Sequence, residues 1–223
     1  MYPIIKRFFD ILFAVLAIVI LSPLLVPIVI LLKITGEGYV FYFQERVGLK
    51  NKNFKIWKFA TMLKNSPNMS GGYITLKKDP RLTPLGGFLR TSKINELPQL
   101  GNILKGDMSF VGPRPTMPVS FKVYPEDIKK VIYNVKPGLT GIGSIIFRDE
   151  ETLITEVKEK GGDAQDFYTN VITPYKGMAE KWYQQNLSFI TDLKILFLTA
   201  WGIVFPQSNL LYKVFKELPA RNF

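Results

Sequence analysis

Two short stretches concentrate the side chains able to do chemistry: Asn95-Glu96 just ahead of Leu97-Pro98-Gln99, and Arg114 between Pro113 and Pro115. Lys58, Asp79, Arg81 and Arg90 add cations and a carboxylate upstream. The chain has no cysteine and no histidine. That excludes disulfides, thiolate metal sites, the commonest general base and the usual zinc ligand. Chemistry must then run on carboxylates, Lys, Arg, Tyr, Ser/Thr, or a hard cation held by oxygens. An arginine fixed between prolines is a pre-ordered fork for phosphate oxygens. Lys58, Arg81 and Arg90 could complete an electrostatic clamp around a phosphoryl group in transfer. Arg81 could equally do no more than pair with Asp79. Glu96 suits the first turn of a helix whatever its function, because the dipole favours a carboxylate there. Asp79 and Asp107 are oxygen ligands in reserve that also suit turns and caps. Gln99 could contact a phosphate or cap its helix locally.

The charge balance supports an anionic partner. The 223 residues carry 29 Lys+Arg against 18 Asp+Glu, a net charge of +11. Phosphorylated substrates and acidic lipid headgroups suit such an excess. Nucleic acid is not expected, since no zinc-finger spacing, RNA-binding signature or helix-turn-helix pattern appears.

The elements that must position these groups can be read in outline. Val40–Arg46 and Asn53–Met62 read as short strands around a turn at Gly48-Leu49-Lys50-Asn51. In the second run Phe54, Ile56, Lys58, Ala60 and Met62 alternate onto one face. A lysine on that face needs an anionic partner, or must snorkel to solvent. Asn65–Gly72 is a polar loop. Thr83-Pro84 suits the start of a helix ending at Arg90, with Thr as its cap. Asn95 suits the N-cap of a helix over 96–105, whose apolar stripe is Leu97, Leu100, Ile103 and Leu104 and whose stop is Gly106. Pro125–Tyr133 reads as helical and Pro137–Gly141 as a turn. Glu150–Lys160 reads as a charged helix. Lys181–Val204, rich in aromatics and leucine, suits either core packing or an interfacial helix.

The first 33 residues form an anchor. Lys6-Arg7 precede an apolar run from Phe8 to Leu32, interrupted by Asp10, Ser22-Pro23 and Pro27 and closed by Lys33. About 20 apolar residues suffice to span a bilayer, but basic residues flank both ends. Positive charge concentrates on the cytoplasmic side, so a segment that turns at Ser22-Pro23 and leaves on the same side suits the pattern. The stretch lacks the small-residue cleavage site of a signal peptide and is read as retained.

These pieces, taken in order, resemble the bacterial sugar transferases, the monotopic phosphoglycosyl transferases. The matching segments are Lys6-Arg7 with Phe9-Asp10, Ser22-Pro23, Gln44–Gly48, Trp57-Lys58-Phe59, Asp79–Thr83, Gly87–Ser92, Glu96–Leu100, Lys105–Pro115 and Pro137–Gly141. The resemblance implies an α/β (α+β) chain. Residues 1–35 would be a re-entrant helix-break-helix anchor, broken at Ser22 and Pro23. Residues 36–223 would be a compact, mainly helical body with a small β-sheet and interfacial amphipathic helices, on the cytoplasmic face of the bacterial inner membrane. It implies transfer of a sugar 1-phosphate from a UDP-sugar to undecaprenyl phosphate, with Mg²⁺, starting surface glycan synthesis. Glu96 and Asn95 would be catalytic, and Lys58, Arg81, Arg90 and Arg114 would bind phosphate. Pro113, Arg114, Pro115 and Gln99 would hold the nucleotide, and Glu96 and Asp79 the metal. Membrane lipids are further partners, and downstream glycosyltransferases and a second copy of the chain stay open as protein partners.

The match departs from the family at the reactive pair. The family places Asp-Glu before Leu-Pro-Gln, the aspartate serving as nucleophile; this chain has Asn95-Glu96. A neutral carboxamide is a poor nucleophile and a weak magnesium ligand. Three readings follow. Glu96 takes over as nucleophile or metal ligand; or transfer is direct, with Glu96 as base; or the chain is a silent, membrane-bound nucleotide-sugar-binding scaffold.

Overall fold

The computed structural model describes residues 2–35, 37–69, 79–221 and 223. Contacts divide the chain into two compact units. One comprises Ile11–Gln44 and Lys55–Lys105; the other comprises Met1–Asp10, Glu45–Phe54 and Gly106–Phe223. Helices dominate, and the described strands form two separate two-stranded sheets, where one small sheet was expected.

The apolar N-terminal run folds as one helix, α1 (Tyr2–Ile34), with Pro23 and Pro27 inside it. The break expected at Ser22-Pro23 does not interrupt the helix. Proline removes the N–H that would have bonded the Val19 carbonyl. Ser22 Oγ donates to that same carbonyl at 2.7 Å, so the vacated acceptor is satisfied within its own turn. The most apolar 18-residue window of α1 has a mean hydropathy of 3.1, and only 11% of it is buried. By length and composition α1 could cross a membrane.

In the first unit, Ile28 and Leu32 of α1 pack with Phe59 and Leu89. The expected hairpin is present as β1 (Phe41–Val47) and β2 (Asn53–Phe59). Its tip, Glu45–Phe54, belongs to the second unit. Beyond β2, Thr83 N–H donates to the Thr61 carbonyl and Met62 bridges Leu82. Helix α2 (Gly86–Thr91) begins later than Thr83-Pro84 predicts. The Thr83 carbonyl closes a turn with the Gly86 N–H, and Thr83 Oγ1 is buried without a hydrogen bond, so it caps nothing. Helix α3 (Gln99–Lys105) starts after Pro98, not at residue 96. Ile94–Glu96 form a separate 3₁₀ turn, entered through Lys93 at φ 61. Gly106, at φ 94, ends α3 as expected. The end of the Asn65–Gly72 loop, residues 70–72, lies outside the described residues.

The second unit begins with the first turns of α1, which are tied down by buried polar groups. Asp10 Oδ1 accepts from Ser109 Oγ at 3.0 Å and from the Phe110 N–H at 2.9 Å. Lys6 pairs with the buried carboxylate of Asp192, which also accepts from the hydroxyls of Tyr2 and Tyr183. β3 (Ser109–Val111) pairs in parallel with β4 (Gly138–Thr140), in the register Ser109↔Gly138 and Val111↔Thr140. The Pro137–Gly141 segment is thus a strand where a turn was expected. The approach is close: a Cβ on Gly138 would lie 2.2 Å from Gly112 N, so only glycine fits.

Helices α4 (Pro118–Phe121) and α5 (Glu126–Lys129) follow, the latter shorter than the 125–133 reading. Then come α6 (Ile142–Ile146), α7 (Glu150–Glu159), α8 (Ala164–Phe167), α9 (Thr173–Gln185), α10 (Phe189–Val204) and α11 (Leu210–Val214). The charged helix α7 matches its sequence reading. The Lys181–Val204 stretch is split between α9 and α10 by Ser188, whose hydroxyl caps the Thr191 N–H. The core-packing reading holds for part of it. Ile195 and Leu198 enter the core with Tyr183 and Ile142, while Ile190, Leu193, Phe197 and Val204 form an exposed apolar stripe.

Candidate functional site

In the first unit two of the candidate residues, Lys58 on β2 and Glu96 in the turn before α3, are brought together. Lys58 lies on the inward-leaning side of β2, and its Nζ is 3.5 Å from Glu96 Oε1. Their side chains are 17% and 18% exposed. The anionic partner that a lysine on this face requires is therefore Glu96. A tight charge-assisted hydrogen bond is nearer 2.8 Å, so this pair is a loose one.

The pair is positioned by a residue that sequence reasoning passed over. Asn102, fully buried on α3, accepts from the Trp57 N–H at 2.9 Å and donates to the Lys55 carbonyl at 2.8 Å. Its amide thus substitutes for a neighbouring strand along β2. It fixes the helix that follows Glu96 against the strand that carries Lys58. The available signal was its place among Leu100, Ile103 and Leu104, where an amide needs partners.

Asp79 and Arg81 form a closed unit. Arg81 donates to Asp79 from its backbone N–H at 3.0 Å, from Nε at 2.9 Å and from Nη2 at 2.6 Å. Both side chains are buried, so Arg81 braces the turn before α2, the plainer of its two sequence readings. Arg90 is half-buried in the last turn of α2. Gln99 is buried at the first position of α3. Asn95 is also buried, inside the 3₁₀ turn rather than capping a helix, and its Oδ1 accepts no hydrogen bond.

The expected magnesium ligands can be tested on these groups. Among the described residues no three His, Cys, Asp or Glu cluster. The two oxygens of Asp79 are taken by Arg81, so Asp79 does not suit a metal. Glu96 does, with the unpaired Oδ1 of Asn95 beside it in sequence. Magnesium commonly uses one or two carboxylates, with waters and substrate phosphates completing its shell.

In the second unit the Pro113-Arg114-Pro115 loop is stiff and heavily bonded. Both prolines are buried while Arg114 is exposed. Every carbonyl of the loop accepts: Pro113 from the Gly138 N–H at 2.9 Å, Arg114 from Tyr133 Oη at 2.8 Å, and Pro115 from Arg46 Nη1 at 3.3 Å. Burial pushes the Tyr133 hydroxyl up to about 12, so it remains a neutral donor. The Arg114 N–H bonds the carboxylate of Glu180, whose burial pushes it up to about 7. Lys176, one turn earlier on α9, pairs with Glu150 at 2.6 Å. Burial lowers the Lys176 pKa, partly offset by Glu150. Sequence reasoning missed both Glu180 and Tyr133. For Glu180 the signal was an acid beside Ala179 and three residues before Tyr183, on the buried face of α9.

Comparison with known proteins follows the same lines. The profile of the family described as bacterial sugar transferase matches residues 1–206. The exopolysaccharide production protein ExoY of Sinorhizobium fredii is 34% identical, over 87% of this chain and 83% of that protein. A UDP-N-acetylgalactosamine-undecaprenyl-phosphate N-acetylgalactosaminephosphotransferase of Aeromonas hydrophila is 36% identical, over 89% of this chain and 43% of that protein. The undecaprenyl-phosphate galactose phosphotransferase of Salmonella typhimurium is 33% identical, over 87% and 39% respectively. The chain thus spans less than half the length of the last two.

Proposed function

The chain belongs to the bacterial sugar transferase family, and we propose that it transfers a sugar 1-phosphate from a UDP-sugar to undecaprenyl phosphate, releasing UMP. The names of the Aeromonas and Salmonella relatives support the acceptor and the reaction class. The loose Lys58–Glu96 pair carries the reading on this chain, because it keeps a cation and a carboxylate partly accessible on one rigid support.

The transfer is direct. A phosphate oxygen of undecaprenyl phosphate forms a bond to the phosphorus that carries the sugar. The bond from that phosphorus to the UMP oxygen breaks, and UMP takes the electron pair. The attacking oxygen is already anionic, so no general base is required. Asn95 is a buried carboxamide and supplies no nucleophile. Lys58 and Arg90 bind and neutralise phosphoryl oxygens, and in the other unit Arg114 binds phosphate from its loop between Pro113 and Pro115. Gln99, buried at 3% exposure, is not accessible for the nucleotide contact expected of it. Glu96 would hold Mg²⁺, which when bound supplies charge neutralisation at the diphosphate.

A lipid acceptor also accounts for α1. Its exposed apolar surface suits lipid rather than water. Residues 1–35 act as a membrane anchor and 36–223 as the catalytic body. Both ends of α1 pack on folded elements, Lys6 and Asp10 in one unit and Ile28 and Leu32 in the other. The basic residues at both ends of the apolar run, Lys6-Arg7 and Lys33, support a place at the cytoplasmic face of the inner membrane. The apolar stripe of α10 suits the interface.

A second reading has one observation in its favour. Glu96 is 18% exposed and its pairing with Lys58 is long, at 3.5 Å, so its carboxylate could itself attack the phosphorus that carries the sugar, with UMP leaving, to form a phosphoryl-enzyme. The test is UMP release by the full chain in nanodiscs with Mg²⁺ and a panel of UDP-sugars. With undecaprenyl phosphate, turnover is expected; without it, none. A stoichiometric UMP burst without acceptor would replace direct transfer by the covalent route. Release by Asn95→Asp but not by the native chain would make the native protein a binding scaffold.

A further inference from the structure

We propose that Glu180 is a positioning residue for Arg114, setting through the backbone where the exposed guanidinium meets the substrate phosphate. The inference rests on the reading of Arg114 as a phosphate-binding group. Glu180 lies on α9 and is 3% exposed. Its carboxylate accepts from two backbone N–H groups, those of Gly143 at the start of α6 and of Arg114 in the loop. The contact at Gly143 is close, since a Cβ there would lie 2.5 Å from Glu180 Oε1 and would force the carboxylate to shift. A glycine and a glutamate are therefore matched across the two helices. Glu180 Oε2 makes no hydrogen bond, and the nearby Lys176 is engaged by Glu150.

A buried carboxylate with an unsatisfied oxygen is costly, and an apolar residue would suit the core around Ala179 and Tyr183. What the carboxylate does there is grip the Arg114 N–H. Tyr133 grips the Arg114 carbonyl from the other side at 2.8 Å. The peptide groups on both sides of Arg114 are thus pinned, and only its side chain is left exposed. An arginine so pinned meets a phosphate with little ordering cost, which is the benefit of preorganisation.

The test is UDP binding by calorimetry to the full chain in nanodiscs, with circular dichroism and melting used to select conditions where every variant is folded. Arg114→Ala and Glu180→Leu should each weaken UDP binding about tenfold, and the double variant no further. Glu180→Gln keeps an acceptor for the Arg114 N–H and should stay within about threefold. Should Glu180→Leu fail to fold, Glu180→Asp, which draws the charge back by one carbon, should weaken UDP binding several-fold. Native affinity in every folded Glu180 variant, with Arg114→Ala weakened, would overturn the positioning role and leave the Arg114 reading standing. Additive losses in the double variant would also overturn it, because Glu180 would then act by another route. Unchanged affinity in Arg114→Ala would overturn both.

Discussion

Asp79 and Glu180 are buried carboxylates held beside basic residues in opposite ways. Asp79 gives its oxygens to the side chain of Arg81, so the guanidinium is used up as a brace. Glu180 is gripped by backbone N–H groups, so the arginine whose backbone it fixes keeps its guanidinium exposed. A cation bound by a side-chain acid is structural; a cation bound through its own backbone is presented. Lys58 and Glu96 fall between these cases, paired at 3.5 Å with both side chains partly open. Arg81 is thus held within the fold, while the substrate roles proposed for Arg114 and Lys58 rest on side chains that stay at least partly exposed.

The sharpest way to break this comparison is at Glu96. Glu96→Gln keeps an acceptor for Lys58 and removes the charge. UMP release should fall by roughly 10³-fold or more, with unchanged melting. Activity within tenfold of native would mean that the presented carboxylate is not needed for the transfer. Arg114→Ala should cost roughly 10²-fold in kcat/KM, again without loss of stability, because the side chain is exposed. A drop in melting temperature that accounts for the activity loss would place Arg114 with Arg81 as a brace.

Much of this was legible in the sequence, and the limits have physical causes. Period-two alternation gave the hairpin and put Lys58 on a face that needed an anion, and Glu96 supplies it. Prolines around Arg114 marked a stiff loop. What failed were the starts of short helices. Thr83 and Asn95 are good cap residue types, but 3₁₀ and turn geometry around Pro84 and Pro98 took over their backbone, leaving both side-chain oxygens unbonded. The helix break expected at Ser22-Pro23 failed because a serine hydroxyl one residue earlier replaced the missing donor. β4 was hidden because its pairing partner is distant in sequence and its glycines read as a turn. For Asn102 and Glu180 the sequence signalled a polar group on a buried face but not what it binds, because their partners are backbone groups, which carry no sequence signature.

Asn102 sharpens the comparison on the fold side. It is a side chain that grips backbone, as Glu180 does, but it supports Lys58 and Glu96 without any charge. Asn102→Ala leaves the Trp57 N–H and the Lys55 carbonyl without the side chain that bonds them, at about 2 kcal/mol for two partly buried groups. Urea or thermal unfolding should show this loss. A loss under about 1 kcal/mol would mean that water replaces the amide and that α3 does not hold the pair.

The smallest effect separates the two modes of holding by the sign of a pH dependence. Glu180 titrates near 7 in the folded chain and near 4.5 when unfolded, burial being the main cause. Below pH 4.5 it is protonated in both states. Between 4.5 and 7 the unfolded chain has released a proton that the folded chain keeps, so stability falls as pH rises, by on the order of 3 kcal/mol in all. Asp149 is the opposite case. Arg221 binds it through two nitrogens at 2.7 and 2.6 Å and holds its carboxyl below the usual range. Its contribution is present above its unfolded pKa and is lost as pH falls. The difference in unfolding free energy between native and Glu180→Gln should therefore decline from pH 4.5 to 7 and then level. Between native and Asp149→Asn it should shrink below about pH 4. A flat Glu180 difference would mean that two N–H bonds keep the carboxylate ionised throughout, and that its grip on Arg114 is independent of pH.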